Sequence, residues 1–274
     1  MTGTLYLVAT PIGNLEDITL RALRVLREVA WIACEDTRQT RKLTDHFSIA
    51  TPLMRYHEHN EAARAAELVQ QLQAGSSGAL VSDAGTPLIS DPGYRLVAAA
   101  IAAGIAVIPI PGASAALAAL AGSGLGTDAF QFRGFLPPRS AARRKTLEAL
   151  KDADCTLIFY EAPHRILEAL EDIEAVLGPR QVVVARELTK IHEEFLRGTA
   201  SEIRIQLAGR PSIKGEITLL LGRASTESTP ASLSEAGDEV RELEQQGLSR
   251  MDAVKRVAKA RGIPKRELYR KVIS

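Results

Sequence analysis

The sequence has few of the residues that mark secreted, membrane-spanning or metal-binding proteins. Only two cysteines occur in 274 residues, Cys34 and Cys155, and they form no Cys-x-x-Cys pair. Each lies in an apolar stretch, so we expect buried free thiols rather than a disulfide or a metal site. No apolar run reaches the roughly 18 residues of a membrane span, and the first residues lack the basic segment of a signal peptide. We therefore expect a cytoplasmic protein without a bound metal.

Aromatic residues and the common nucleotide-binding motifs are also scarce. Aromatics make up 4% of the chain, so stacking of nucleic-acid bases on aromatic platforms is not the expected binding mode. Neither Gly-x-Gly-x-x-Gly nor Gly-x4-Gly-Lys-Ser/Thr is present, which argues against dinucleotide and P-loop sites. The 46% hydrophobic content supports a sizeable core. At roughly 150 residues per domain, the length suggests two domains.

The charges are unevenly distributed although the net charge is only +1. Residues 248–274 hold nine Lys or Arg residues and two acidic residues, Asp252 and Glu267, a net charge of +7. The preceding residues therefore carry a net charge of −6. An acidic body with a basic tail indicates that the tail meets a polyanion.

Short β-rich runs alternate with amphipathic helical stretches over the first 222 residues. This alternation predicts an α/β fold with mostly parallel sheets. Strands are expected at Thr4–Ala9, Trp31–Cys34, Gly78–Ser82, Ile105–Ile110, Phe130–Phe135, Cys155–Tyr160, Gln181–Ala185 and Glu216–Leu221. Helices are expected at Leu15–Val29, Glu61–Gln73, Tyr94–Ala103 and Arg165–Leu177.

Breaks in this pattern predict the domain organisation. A glycine-rich break after residue 121 separates an N-terminal α/β lobe, 1–121, from a C-terminal α/β lobe, 122–222. Residues 223–234 are rich in Ser, Thr and Ala and predict a linker. Residues 235–274 form a basic helical module that resembles a helix-turn-helix. Two interpretations of this module stay open: RNA binding, or a charged hairpin that packs on the body or on a second subunit.

Three loops that follow predicted strands carry more turn residues than simple connections need. They run over Ala9–Asn14, Ser82–Gly93 and Ile110–Ala115, and the second contains two Pro, two Gly and two Asp. Ligands of open α/β sheets bind at the carboxyl ends of strands, and small residues let a backbone approach a ligand closely. Each loop alone is compatible with an ordinary turn, but the three together indicate a ligand site.

These loops, with later motifs, resemble those of the tetrapyrrole-methylase-fold enzymes. The order of Pro11-Ile12-Gly13-Asn14, Pro111-Gly112-Ala113-Ser114-Ala115 and Lys214-Gly215-Glu216 carries the resemblance. Three further motifs narrow the resemblance to the ribosomal RNA small-subunit methyltransferase I branch of these enzymes. They are Ser82-Asp83-Ala84-Gly85-Thr86-Pro87, Tyr160-Glu161-Ala162-Pro163-His164-Arg165 and Glu35-Asp36-Thr37-Arg38. The resemblance implies two lobes enclosing S-adenosylmethionine (AdoMet), 2′-O-methylation of cytidine 1402 of 16S rRNA, and a homodimer.

The resemblance also implies which residues bind the cofactor. These are Pro11, Ile12, Gly13, Ala84, Gly85, Thr86, Ile89, Ser114, Ala115, Tyr160, Glu161 and Leu188. Thr86 stands where many tetrapyrrole methylases have an aspartate, so a carboxylate contact from that position is not expected here.

The catalytic residues are predicted from the chemistry of proton removal. Methylation of an alcohol is helped by a general base, and Glu35, Asp36, Asp83, Asp91, His57 and Glu161 are the candidates. We favour Glu35, Asp36 and Arg38, with Arg38 and Arg41 binding RNA phosphates while a neighbouring carboxylate orients the ribose. The alternative is a solvated helix start with Asp36 as its N-cap.

Other basic clusters extend the predicted RNA surface. Arg143 and Arg144 follow the junction between the lobes, where a second RNA contact and a solvated helix face are equally compatible with the sequence. The predicted contacts of the tail are Arg256, Lys265, Arg266 and Arg270. His57-Glu58-His59-Asn60 lacks a third metal ligand at a recognisable spacing, so a polar loop is expected.

Two other functions remain compatible with the sequence. One is methylation of a tetrapyrrole or another small molecule on the same fold. The other is a non-catalytic RNA-binding factor in ribosome assembly.

Overall fold

The computed structural model describes residues 2–57, 61–224, 230–261 and 263–273. These residues belong to two compact units, 1–222 and 223–274. Across the described ranges, no helix has the length and apolar character needed to cross a membrane. Both cysteines are buried free thiols, as predicted.

The first sheet of unit 1–222 is entirely parallel. Its strands are β1 (Thr4–Val8), β2 (Trp31–Cys34), β3 (Leu53–Arg55), β4 (Gly78–Val81) and β5 (Ala106–Ile110), in the order β3-β2-β4-β1-β5. The helices of this half are α1 (Leu20–Glu28), α2 (Thr37–His46), α3 (Glu61–Gln73), α4 (Tyr94–Ala102) and α5 (Ala115–Ser123). Parallel pairing places the carboxyl ends of all five strands at one edge, so the loops that follow them can meet.

Helices cover both faces of this sheet, because alternate strand residues point to opposite sides. Ile32 and Cys34 of β2 pack with α1 and α2 in one core cluster. Trp31 and Ala33 pack with α3 and α4 in another. Burial on both faces explains why these strands are continuously apolar in the sequence.

The second sheet is mixed. Its strands are β6 (Phe130–Phe135), β7 (Thr156–Glu161), β8 (Gln181–Arg186), β9 (Glu194–Thr199) and β10 (Ile217–Leu221), in the order β6-β7-β10-β8-β9. Only β6 and β7 pair in parallel, and the other three pairings are antiparallel. The helices are α6 (Ser140–Glu148), α7 (Ile166–Leu177) and α8 (Ala200–Ala208). The prediction of mostly parallel sheets is therefore confirmed for the first sheet and wrong for the second.

Helix α5 connects the two halves. Its residues Ala116, Ala119 and Leu120 pack in one core cluster with Ile158 and Val183 of the second sheet. The lobe boundary expected near residue 121 falls inside α5, because this helix follows the first sheet in the chain but covers the second one.

The eight predicted strands are present, with bounds within one residue of those expected. Two edge strands, β3 and β9, were not predicted, since β3 has three residues and β9 mixes polar with apolar residues. The single helix expected over Leu15–Val29 is wrong. A short 3-10 turn, Leu15–Asp17, begins at Asn14, and Thr19 then caps α1 through Ala22 N.

Unit 223–274 contains α9 (Pro230–Gln245), α10 (Arg250–Arg261) and α11 (Lys265–Ile273). A small core that includes Val240, Val257 and Leu268 joins the three helices. Helix α9 begins inside the segment predicted as a linker, and residues 225–229 of that segment lie outside the described residues.

A buried ion pair joins α6 and α7. The Arg143 side chain is 1% exposed, and its Nε donates to Asp172 Oδ2 at 2.6 Å. Arg144 Nε and Ser140 Oγ donate to the other oxygen of Asp172. The negative charge of Asp172 therefore balances the positive charge of the Arg143 guanidinium, which is buried away from water.

We expect Asp172→Ala to lower the free energy of unfolding by about 3–5 kcal/mol, because the buried Arg143 charge loses its 2.6 Å partner and keeps only the 3.6 Å ion pair with the exposed Glu168. Urea unfolding followed by circular dichroism measures this loss. Arg24→Ala removes an exposed ion pair with Glu28 and should cost no more than about 1 kcal/mol. Equal losses in the two variants would show that burial of the Arg143 pair is unimportant.

Candidate functional site

Two loops at the carboxyl edge of the first sheet are joined by a backbone bridge. Thr10 N donates to Gly85 O at 2.9 Å, and Gly85 N donates to Thr10 O at 3.0 Å. Thr10 Oγ1 also donates to Ser82 O at 3.1 Å. The third loop is attached through Thr86 Oγ1, which donates to Ala113 O at 3.2 Å. The three loops singled out in the sequence thus form one hydrogen-bonded surface.

The loop over residues 82–93 has an unusual backbone. Gly85, Leu88, Ser90 and Gly93 all have positive φ, from 68° to 137°. Such angles are uncommon for Leu and Ser and cost free energy. Glu61 at the start of α3 holds the end of the loop, since its Oε1 accepts from Gly93 N at 3.2 Å. A segment held in a strained conformation by its surroundings is typical of a binding site.

The second sheet supplies the opposite wall through the end of β7 and the segment after β8. Tyr160 is half-buried, Glu161 is buried, and Leu188 lies between Glu187 and Thr189, which both have positive φ. Glu161 Oε1 accepts from Ala162 N and pairs with Arg165, each at 2.8 Å. Its Oε2 is buried and has no hydrogen-bond partner among the described residues. This oxygen is therefore available to accept a hydrogen bond from a ligand in the cavity.

A cavity of about 310 Å³ lies between these walls, within the size range of small-molecule sites. Ten of the twelve residues predicted to bind a cofactor line it. They are Ile12, Ala84, Gly85, Thr86, Ile89, Ser114, Ala115, Tyr160, Glu161 and Leu188.

The other two predicted cofactor residues, Pro11 and Gly13, do not line the cavity. A Cβ on Gly13 would lie 2.5 Å from Lys190 Cγ and 2.9 Å from Thr189 Oγ1. Gly13 is thus needed for the close approach of the first loop to the second half of the unit. Lys190 is fixed there by ion pairs to Glu187 at 2.8 Å and Glu216 at 3.0 Å.

Several carboxylates lie beside the cavity and differ in their pKa. Asp91 lines the cavity. Burial raises its pKa to about 6, and the nearby charges of Glu35 and Asp83 add to the increase. Burial also raises the pKa of Asp83. The side-chain hydrogen bond from Arg38 lowers the pKa of Asp36 to about 2. A carboxylate with a pKa of about 6 is a better proton acceptor than one with a pKa of about 2.

Glu35, Asp36 and Arg38, predicted as catalytic, lie beside the cavity but not on its wall. Asp36 is the N-cap of α2 and accepts from Arg38 N at 2.9 Å. Its carboxylate also binds the Arg38 guanidinium through Nε and Nη2, at 2.8–3.2 Å. Asp36 N donates to Asp83 Oδ1 at 3.2 Å, which joins α2 to the loop of the site. The N-cap alternative therefore describes the local geometry.

The predicted RNA-binding cations differ in exposure. Arg143 is a correction: its ion pair with Asp172 is buried, so its guanidinium is not available at the surface. Arg144 is half-exposed and also pairs with Asp172. The remaining six are exposed: Arg38, Arg41, Arg256, Lys265, Arg266 and Arg270.

The cavity also contains residues that the motifs did not single out. Phe135 lines it and is 55% exposed, with its ring 5.7 Å from that of Tyr160 in an edge-to-face arrangement. Ala185, Ile217 and Thr218 line it as well. Nothing in the local sequence distinguishes Phe135 from Phe132 of the same strand, which is partly buried against a core cluster.

Solved structures share this two-sheet fold. A diphthine synthase superposes with a TM-score of 0.62 at 16% identity, covering 80% of this chain and 90% of that one. A uroporphyrin-III C-methyltransferase from Thermus thermophilus, complexed with S-adenyl homocysteine, superposes with a TM-score of 0.57 at 19% identity, covering 81% of this chain and 98% of that one. At these identities the likeness establishes the fold.

The fold and the cavity between the sheets define a tetrapyrrole methylase, and the family model "Tetrapyrrole (Corrin/Porphyrin) Methylases" matches residues 4–204. A protein of Halalkalibacterium halodurans named ribosomal RNA small subunit methyltransferase I is 52% identical, covering 97% of this chain and 93% of that protein. The protein of that name from Bacillus subtilis is 46% identical, with the same coverages. The chain therefore belongs to the tetrapyrrole methylases and, within them, to the family of ribosomal RNA small subunit methyltransferase I.

The capping geometry predicts how substitutions of Asp36 affect stability. We expect Asp36→Ala to lower the free energy of unfolding by about 1 kcal/mol, because the Arg38 N–H loses its acceptor. Asn is an equally good N-cap, so Asp36→Asn should retain most of the stability. Thermal unfolding measures both variants. Equal destabilisation by Ala and Asn would show that the charge of Asp36, rather than its cap, stabilises α2.

Proposed function

We propose that the protein transfers a methyl group from AdoMet to the ribose 2′-hydroxyl of cytidine 1402 in 16S rRNA. The observation that carries the proposal is the cavity between the two sheets, lined by ten residues at the positions where the family resemblance places the cofactor. The target nucleotide follows from the family resemblance.

The residues of the cavity fit AdoMet. Glu161 offers a buried carboxylate oxygen that still needs a donor, and the cofactor carries amino and hydroxyl donors as well as a positive charge. Gly85 has φ +81°, and a Cβ there would lie 3.3 Å from Ile12 Cγ2. The absence of a side chain thus leaves room beside an apolar wall. Ile12, Ala84, Gly85, Ser114, Ala115, Tyr160, Glu161 and Leu188 would hold the cofactor.

The bound cofactor supplies an activated methyl group on a sulfonium. The protein must then hold the ribose oxygen in line with that methyl group and exclude competing water, since correct positioning alone is worth roughly 7–11 kcal/mol in favourable cases. The strained loop over residues 82–93 and the Tyr160 segment are placed on opposite walls of the cavity. Their fixed backbones support such positioning.

Exposed cations support an RNA substrate. Arg38 and Arg41 lie on α2, directly beside the loop of the cavity, and we propose that they bind phosphates while the Asp36 carboxylate fixes the Arg38 guanidinium. Glu35, at the end of β2, contributes to the local acidic field. In the separate unit 223–274, Arg256, Lys265, Arg266 and Arg270 are exposed and provide a second phosphate-binding surface.

Phe135 supports recognition of a nucleotide rather than of phosphates alone. The chain has few aromatic residues, yet this ring is exposed on the wall of the cavity. Bases that leave their stack are often held by aromatic side chains. We propose that the target cytosine stacks on Phe135.

The proposed function also includes the form of the substrate, the compartment and the oligomeric state of the protein. We propose that the protein works in the cytoplasm on 16S rRNA, either free or assembled in the 30S subunit, and as the homodimer that the family resemblance implies. Methylation of a small tetrapyrrole is the second candidate, supported by the fold that the chain shares with the uroporphyrin-III C-methyltransferase. The exposed cations of α10 and α11 favour RNA over this candidate.

Transfer of labelled methyl groups tests the function. With labelled AdoMet, we expect incorporation into 30S subunits or 16S rRNA that lack the modification, and none into a porphyrinoid. The label should map to the ribose of cytidine 1402. Calorimetry in parallel should detect binding of AdoMet.

Each contrary result has a definite meaning for the proposal. Label in the porphyrinoid alone would replace RNA by a small substrate. Binding of rRNA without any transfer would indicate a non-catalytic assembly factor. Failure to bind AdoMet or its demethylated product would refute the cofactor site.

A second prediction concerns the stacking ring. Phe135→Ala should weaken RNA substrate binding, raising KM by about 5- to 150-fold, because stacking on an aromatic ring is worth roughly 1–3 kcal/mol per base. Phe130→Ala is the matched control, since Phe130 lies on the same strand, is 44% exposed and does not line the cavity. Steady-state kinetics with varied RNA measures both variants. Equal KM values for wild type and Phe135→Ala would rule out stacking on this ring.

A further inference from the structure

Asp91 occupies an unusual place among the carboxylates of the site. It lines the cavity, and it follows Ser90, which has φ +68°, in the strained loop. The other cavity-lining acids are Glu161, whose Oε1 is bound to Arg165, and Glu216, whose Oε2 is bound to Lys190. No ion pair to Asp91 is formed within the described ranges. A cavity carboxylate that is not neutralised by a cation is free to accept a proton.

The groups around Asp91 come from three elements. Glu35 at the end of β2 and Asp83 after β4 place negative charge near it, and Tyr160 of β7 is close enough to feel its charge. The Ser82 hydroxyl opposes these effects weakly by stabilising the carboxylate. Burial and like charges both favour the protonated form of a carboxyl group. The loop therefore raises the proton affinity of one carboxylate that faces the cavity.

We propose that Asp91 is the general base of the methyl transfer, an inference that rests on the proposed function. In this step the O–H bond of the ribose 2′-hydroxyl breaks and its proton moves to a carboxylate oxygen of Asp91. The hydroxyl oxygen forms a bond to the methyl carbon, and the electron pair of the broken S–C bond stays on the sulfur. Glu35 and Asp83 act as positioning residues that tune Asp91 through their charges. Asp36, with its low pKa, has no part in proton transfer.

The pH dependence of the reaction follows from the pKa of Asp91, about 6. A base must be deprotonated to act, so the single-turnover rate should rise with pH through that value and then level off. Asp83→Asn removes a like charge, which lowers the pKa of Asp91, so the same curve should move to lower pH. A purely structural role of Asp91 would not move the profile in this way.

Stability gives a readout that does not depend on activity. The pKa of Asp91 is raised in the folded protein, so ionisation of Asp91 destabilises the fold as the pH rises through about 6. Asp91→Asn should therefore melt at a higher temperature than wild type at pH 7.5, and the advantage should vanish near pH 4, where the wild-type carboxyl is protonated. Infrared difference spectra between wild type and Asp91→Asn, without cofactor, should show the titration directly.

The decisive experiment compares single-turnover rates with undermethylated 30S subunits. Asp91→Asn should lower the rate by about 10²- to 10⁴-fold, with AdoMet affinity and RNA binding unchanged within about threefold. Asp91→Glu restores the carboxylate and should recover part of the rate. Asp45→Asn makes the same change of charge at an exposed position of α2 and should retain the wild-type rate.

The outcomes separate this inference from the proposed function. A wild-type protein that transfers no methyl group to RNA would overturn the function, whatever Asp91 does. An active wild type together with an equally active Asp91→Asn would overturn the inference alone. So would an Asp91 carboxyl that titrates near its ordinary pKa of about 3.9.

Discussion

The bridge between Thr10 and Gly85 is the constraint on which the site depends. It joins the loops after β1 and β4, two neighbouring strands at the centre of the first sheet. Because Gly85 has φ +81°, the chain can make both hydrogen bonds and still turn back along the wall of the cavity. The bridge therefore fixes where the following residues, Thr86 to Gly93, begin. Glu61 holds the far end of the same loop through Gly93 N, so the loop is fixed at both ends while its middle faces the cavity.

The sequence was most informative where burial and turn chemistry act locally. The central strands were predicted within one residue, since burial on both faces makes them continuously apolar. Strands β3 and β9 were not predicted, because β3 has only three residues and β9 mixes polar with apolar residues. The antiparallel direction of strands in the second sheet was not predicted either, because the hydrophobic pattern of β8, β9 and β10 is the same whether they pair in parallel or antiparallel. Motifs located the loops around the cavity. They did not reveal that Gly13 serves contact with Lys190, or that Arg143 is buried against Asp172, because both depend on residues distant in the chain.

The cations proposed to bind the substrate and the carboxylates beside the cavity lie at different places. Glu35, Asp83 and Asp91 give the edge of the cavity a negative field, which repels the phosphates of a polyanion. At physiological salt such repulsion fades over about 8 Å. Arg41 and the Arg38–Asp36 pair lie in the first half of α2. At this position they can bind phosphates that stay outside the cavity. A ribose hydroxyl, being neutral, meets no such barrier. The arrangement favours a nucleic acid whose phosphates are bound outside the cavity and whose ribose enters the cavity.

The same features that suit the site to catalysis oppose folding. Positive φ angles at Leu88 and Ser90 cost free energy, and a carboxylate whose pKa is raised by burial destabilises the folded state at neutral pH. The strain and the ionised carboxylate lie within three residues of each other in one loop, and the buried clusters on both faces of the first sheet compensate for them. A segment that only connected β4 to α4 would gain nothing by retaining either cost. Because a proton acceptor must face a partly dry cavity in a fixed position, the function requires both costs at this one place, and the rest of the lobe must be stable enough to offset them.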